Sequence, residues 1–182
     1  MDEDPPHSAQ VARLALELFD AMVDRHELGD DAREILEAAA LLCNVGMFLS
    51  HAQHHKHSYY VIRSTDRLGG FNGNEVARIA LVARYHRKSE PKAKHLEFAE
   101  LEESEQREVR VLAGLLRVAI GLDRNHAARV RSVAVKDKGD RVVIRATPVE
   151  GEDITLELYA AASRRDLLES VLEVTIEVKD AG

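Results

Sequence analysis

Apolar residues recur at helical spacing through the first two thirds of the chain. Val11, Leu14, Ala15, Leu18, Phe19, Met22 and Val23 fall on one face of a helix beginning near His7. Pro5-Pro6 stops any earlier structure, and Ser8 is placed to cap the start. Gly29 ends this helix. Asp30 or Asp31 caps the next, whose apolar positions are Ile35, Leu36, Ala39, Ala40, Leu41 and Leu42. That helix loses its polar face near residue 38, so its end is expected to be deeply buried. Gly46 then permits a break. A third helix is expected from about His54 to Ser64, followed by a glycine-rich loop from Arg67 to Gly73. Asn74 caps a helix from Glu75 to about Arg87, Ser89 to Lys94 is a linker, and Ser104 starts a long helix ending near Asn125-His126.

After Ala128 the period changes from helical to two. Val133 and Val135 alternate with polar residues, Lys138-Gly139-Asp140 turns, and Val142 and Ile144 alternate again. Ile154, Leu156 and Leu158 predict a third strand. Ser163 caps a short helix carrying Leu167, Leu168, Val171 and Leu172, and Val174, Ile176 and Val178 predict a last strand. The expected fold is therefore mainly α: a helical bundle over residues 1–128, then a small β-β-β-α-β unit over residues 129–182. The second unit is too small for a large core of its own and should pack on the first.

Composition narrows the class. The chain has 182 residues, 45% of them hydrophobic, which is enough for one ordinary domain or one with a small appendix. Trp is absent and aromatics are scarce, so aliphatic side chains must make the core. Met1-Asp2-Glu3-Asp4 is acidic where a secretory leader is basic, and no apolar run is long enough to span a membrane. A single cysteine, Cys43, cannot form an intrachain disulfide. The expected location is the cytoplasm, with no membrane partner.

Charge is uneven. The net charge is −7, yet residues 51–95 carry nine Lys or Arg against three acids, a segment of +6 in a remainder of −13. Six of the nine histidines lie there too. An acidic chain with one basic, histidine-rich segment points to a local anion site, the bland alternative being a solvated helix face. Few aromatics and the acidic balance make nucleic acid a weak candidate partner.

The chemistry concentrates in Leu41 to Ser58, where an apolar helix end runs into His51, His54, His55, Lys56 and His57. The order of motifs around it is His7-Ser8-x-x-Val11-Ala12, Leu41-Leu42-Cys43-Asn44-Val45-Gly46, His54-His55-Lys56-His57-Ser58, Arg84-Tyr85-His86-Arg87-Lys88, and Leu116-Arg117-Val118-Ala119-x-x-Leu122-Asp123-Arg124. Taken together it resembles the C-terminal part of the exopolyphosphatase/guanosine pentaphosphate phosphohydrolase (Ppx/GppA) family. The resemblance implies an HD-like helical domain with a small α+β tail, associated with polyphosphate binding and dimer formation. It implies a family of phosphoanhydride hydrolases whose catalysis lies in an actin-like pair of domains with glycine-rich phosphate loops. No segment of this chain resembles those loops, so a separate actin-like catalytic domain is an expected partner alongside a homodimer.

The HD resemblance also implies a metal site, at His7, Cys43, Asn44 and Asp123. His7 and Asp123 suit it. Asn44 is neutral where a carboxylate is needed, and Cys43 is soft where Mg or Mn takes oxygen. The expectation is no catalytic residue and no divalent metal, with a metal-dependent HD phosphohydrolase of altered ligand set as the alternative. Zinc held by His7, Cys43 and a histidine of 51–57 is the form that alternative takes. Cys43 otherwise reads as a small buried residue, Asn44 as a helix-end hydrogen-bonding group, and Asp123 as a partner for Arg117, Arg124 or nearby backbone.

Polyphosphate or a (p)ppGpp-like anion needs cationic, fork-shaped donors. His54, His55, Lys56 and His57 on one helical turn, with Arg84, His86, Arg87 and Lys88 at another helix end, supply them if the two helices are adjacent. Binding is then expected to weaken with salt and to strengthen as pH falls through the histidine range. The competing reading has His54, His57 and His86 as interhelical hydrogen-bonding residues.

Overall fold

The computed structural model describes residues 4–182; the acidic opening Met1-Asp2-Glu3 lies outside the described residues. The first helix, α1 (Pro5–Ala21), starts one turn earlier than its apolar stripe suggested. Asp4 caps it by accepting from the His7 N–H at 3.2 Å, and Pro5 and Pro6 occupy the first two helical positions. Proline is suited there, because its missing N–H has no intrahelical partner and its φ is already helical. Ser8, expected as the cap, is buried inside the helix.

A short α2 (Val23–His26) leads to α3 (Asp30–Leu42), and Gly29 is the residue that opens α3. The faces predicted from spacing pack against each other: Val11, Leu14, Leu18 and Phe19 of α1 and Ile35, Leu36 and Ala39 of α3 all join the core. The α3 end departs from expectation, since Leu41 is exposed while Cys43 beyond it is buried.

A 3-10 turn (Val45–Phe48) then runs into α4 (His54–Ser64). Gly46 is required there by close approach: a Cβ would fall 2.3 Å from the Ser58 nitrogen and 2.4 Å from the His54 oxygen. Ser58 staples the same contact, donating to the Cys43 carbonyl at 2.7 Å and accepting from the Gly46 N–H at 2.9 Å.

Helix α5 (Gly73–Tyr85) opens on a capping box in which Asn72, rather than Asn74, is the cap and Glu75 closes the reciprocal bond. After α6 (Leu96–Ala99) comes α7 (Glu103–Gly121), buried on nearly every side over its second half. It packs against α1, α3 and α5 on one side and against the segment after residue 150 on the other.

That last segment corrects the strand prediction. β1 (Val130–Asp137) and β2 (Arg141–Pro148) pair antiparallel across the Lys138-Gly139-Asp140 turn, as expected. Residues 154–158 are not a strand. They enter α8 (Thr155–Ala162), followed by α9 (Asp166–Leu172), and the chain returns as β3 (Thr175–Asp180), parallel to β2. The sheet order is β1-β2-β3, so the unit is β-β-α-α-β while the fold remains mainly α. The reason is visible in burial: Ile154, Glu157, Ala160 and Ala161 are buried, whereas Leu156 is exposed. Those buried positions follow a period near 3.6, and the apolar alternation Ile154-Leu156-Leu158 puts Leu156 outside. Ser163 ends α8 instead of capping α9. Gly121 lets α8 approach α7 closely, since a Cβ there would meet the Ala161 Cα at 2.4 Å.

The sheet is tied to α1. Gln10 and Arg13 donate to the Val130 carbonyl at 2.7 and 3.0 Å, and Glu17 accepts from the Val133 N–H at 2.9 Å. One continuous hydrophobic core includes Leu14 and Leu115 from the helices and Val142, Ile144 and Ile176 from the sheet. No helix among the described residues is long and apolar enough to cross a membrane.

Candidate functional site

The start of α4 and the end of α5 do come together. His54 and His86 face each other with their Nε2 atoms 3.3 Å apart. Arg87 approaches His54 Nδ1 at 3.2 Å, and His86 Nδ1 lies 2.6 Å from the Ala83 carbonyl. A guanidinium only donates, and a carbonyl only accepts. His54 Nδ1 also lies 3.3 Å from the His51 carbonyl, so Arg87 and that carbonyl compete for it; with Arg87 donating there, His54 Nε2–H donates to His86 Nε2, and His86 Nδ1–H donates to Ala83.

The surroundings of these imidazoles disfavour the charged form. Burial, with the Ala83 carbonyl working against it and neighbouring histidines and Arg87 adding to it, pushes His86 down to about 3. Burial and the charge of Arg87 push His55 down to about 4, and burial holds His54 below the usual histidine range. An uncharged ring costs far less to bury than a charged one. Any gain in anion affinity on acidification therefore does not come from His55 or His86 at mildly acidic pH.

His54, His86, Arg87 and Lys88 line one cleft of about 700 Å³. The other predicted anion ligands do not. His55 is buried, and its Nδ1 has no hydrogen-bond partner among the described residues. Lys56 is exposed and His57 half-buried on α4, away from the cleft lining. Arg84 lies 3.2 Å from Glu97 and over the ring of Tyr59 at 5.2 Å.

The cleft instead gains Arg117, Arg124 and Arg164. Arg117 is buried and donates to three backbone carbonyls, Tyr85 at 2.7 Å, Ser89 at 3.0 Å and Lys88 at 3.2 Å. It thereby fixes the turn that presents Arg87 and Lys88, where Lys88 adopts φ 65°. Arg164, at the end of α8, donates to the Ala160 carbonyl at 2.8 Å. Arg124 stays exposed at the end of α7. Arg117 and Arg124 stand in the motif around Asp123, where they read as partners for that carboxylate. Nothing local marks Arg164, which the chain brings back by packing α8 on α7. With Arg87 and Lys88 these make five cationic side chains, facing Asp4, Glu90 and Asp166 in the same lining.

The four positions matched to a metal site are arranged otherwise. His7 is buried, and its Nδ1 lies 2.7 Å from Asp123 Oδ2. Asp123 Oδ1 accepts the Ala128 N–H at 2.8 Å, so both carboxylate oxygens are engaged within the protein. The Cys43 thiol is buried and directed at the Ala40 carbonyl at 3.3 Å, within its own helix. Asn44 lines the cleft. Among the described residues no three His, Cys, Asp or Glu side chains gather as a group able to hold a metal ion. This donor set does not fit a hard divalent cation, which takes several oxygen ligands.

Beside His7 lies one more ring. His126 stacks on it with centroids 3.6 Å apart and planes 1° from parallel, and His126 Nδ1 is 2.7 Å from Asp4 Oδ2. Sequence reading passed over His126, which stands in an irregular segment between helix and strand.

The family model for Ppx/GppA phosphatase, domain III, matches residues 2–160. That span holds α1 through most of α8, and with it every residue of the cleft except Ser163, Arg164 and Asp166. The chain belongs to the Ppx/GppA phosphatase family, through that family's domain III.

Proposed function

We propose that this chain is an accessory domain that binds polyphosphate, or a related phosphate polyanion such as a (p)ppGpp-like anion, in the cleft between α4, α5, α7 and α8. One observation carries the reading: Arg87 and Lys88 after α5, Arg117 and Arg124 on and after α7, and Arg164 after α8 converge on a single open cleft of a net acidic chain. Guanidinium groups stay charged across the physiological range and match phosphate oxygens in pairs. Arg117, whose Nε and Nη2 donate to backbone, positions; Arg87, Lys88, Arg124 and Arg164 make the contacts. Residues 1–128 supply most of the cleft, and the small unit of 129–182 closes it with Arg164.

The same reading includes self-association and a separate actin-like partner. Phe48, Leu49 and Tyr60 are 65%, 59% and 60% exposed around the 3-10 turn and α4, an apolar surface of the kind a second copy covers. Light scattering over a concentration series is expected to show a dimer that Phe48→Glu/Leu49→Glu turns into a monomer.

A polyphosphate titration tests the binding reading. Affinity is expected to fall steeply between 50 and 200 mM salt, with a log–log slope of roughly −2 to −3 if three or four phosphates are contacted. Arg87→Ala/Lys88→Ala/Arg124→Ala should weaken binding by about a hundredfold and flatten that slope, with helical circular dichroism unchanged. Wild-type protein that does not bind at 50 mM salt refutes the reading.

A further inference from the structure

One constellation in the cleft is not explained by charge attraction. His7 and His126 are stacked imidazoles, each held at Nδ1 by a carboxylate: His7 by Asp123 and His126 by Asp4, both at 2.7 Å. Asp123 is buried and is fixed from the other side by the Ala128 N–H, so it cannot turn away. With Asp123 Oδ2 accepting, His7 Nδ1 carries a proton, and in the neutral ring Nε2 then presents its lone pair. His126 covers one face of the His7 ring. Both rings line the cleft, and His7 Nε2 has no hydrogen-bond partner among the described residues. A ring held in one tautomer by a buried carboxylate, with its second nitrogen open to a cationic cleft, is built as a nucleophile.

We propose that His7 Nε2 accepts the terminal phosphoryl group of a phosphoanhydride held in the cleft, forming a phosphohistidine. The proposal rests on the polyanion reading above. The Nε2 lone pair forms the N–P bond while the bridging P–O bond breaks, and its electron pair leaves on the shortened polyphosphate. His7 keeps its Nδ1 proton, and Asp123 compensates the charge that develops on the ring. Arg87, Lys88, Arg124 and Arg164 neutralise the phosphoryl and leaving oxygens. Water then attacks phosphorus, the N–P pair returns to the ring, and both water protons leave with orthophosphate. The leaving group selects the substrate class. A phosphate departs from an anhydride without being protonated, whereas a sugar or alcohol leaving a monoester needs an acid beside it. Phosphoanhydrides, whose leaving group needs no proton, are the donors proposed, and a simple monoester is the control.

The test uses the whole chain with medium-length polyphosphate. Binding is measured by titration, and the same mixtures are quenched at alkaline pH, where phosphohistidine survives, and mapped by tandem mass spectrometry. The expected result is a phosphoryl group on His7 of the wild type, with slow orthophosphate release. His7→Gln should remove both, Asp123→Asn should lower orthophosphate release by at least about a hundredfold, and His51→Gln, on an exposed loop, should retain both. Glycerol phosphate should give no adduct. Polyphosphate binding by the wild type without an adduct, or an adduct confined to exposed His51 or half-buried His57, overturns the proposal and leaves the binding reading standing. Absence of binding overturns both. If His7→Gln unfolds, the adduct map of the wild type alone decides.

Discussion

Single residues govern this cleft by what they leave uncharged as much as by what they charge. His55 and His86 are held near 4 and 3 against an ordinary value of 6.5. Between those values and 6.5 the unfolded chain binds protons that the folded chain does not. Stability therefore rises with pH across that window and is flat above it. Each histidine contributes about 1.4 kcal/mol per pH unit inside the window, so urea unfolding at pH 5.5 should show roughly 2–3 kcal/mol less stability than at pH 7.5 from this pair. His86→Gln is expected to flatten the profile by about half; an unchanged slope means that His86 is not the buried neutral ring described. Arg117 acts at the same scale by holding backbone. Arg117→Lys keeps the charge but loses the fork that spans residues 85, 88 and 89, and should cost about 2 kcal/mol. Polyphosphate affinity should fall with it, as the Arg87-Lys88 turn loosens.

At the scale of elements, the cleft depends on helices that meet where side chains are absent. The approach of the 3-10 turn to α4 leaves no room for a Cβ at Gly46, whose neighbours are backbone atoms and cannot move aside. Gly46→Ala is expected to cost about 3 kcal/mol in chemical denaturation, and Ser58→Ala about 1–3 kcal/mol by stranding a buried N–H. The helices themselves were legible in the sequence. Apart from Val23 and Leu41, which are exposed, the stripes of α1, α3, α5 and α7 lie where spacing put them, because each has one apolar face and a core to turn it toward. The error at 154–158 has a physical cause. A short stretch such as Ile-Thr-Leu-Glu-Leu satisfies both periods, and only its neighbours decide; here Ala160 and Ala161 continue a helical face onto α7. The site was half legible for a related reason. His54, His86, Arg87 and Lys88 are adjacent in local motifs, so they announce themselves. Arg164 and His126 are single residues delivered by long-range packing, and no local pattern marks them. Lys56 and Arg84 belong to the same motifs as the cleft residues but lie elsewhere on the helix circumference.

For the whole molecule, the order in which the chain builds the cleft matters. Three of its walls come from residues before 127, but Arg164, between α8 and α9, and Asp166, at the start of α9, belong to the crossover that connects β2 to β3. That crossover is secured when β3 pairs in parallel with β2, a contact between residues 141–146 and 175–180. Parallel pairing closes a long loop and forms slowly relative to local helix packing. A nascent or partly folded chain would thus hold four helices in place around an unfinished basin, open on one flank. On the proposed reading Arg164 joins Arg87, Lys88 and Arg124 late in folding, so a chain still being synthesised should hold a polyanion less tightly than the finished one.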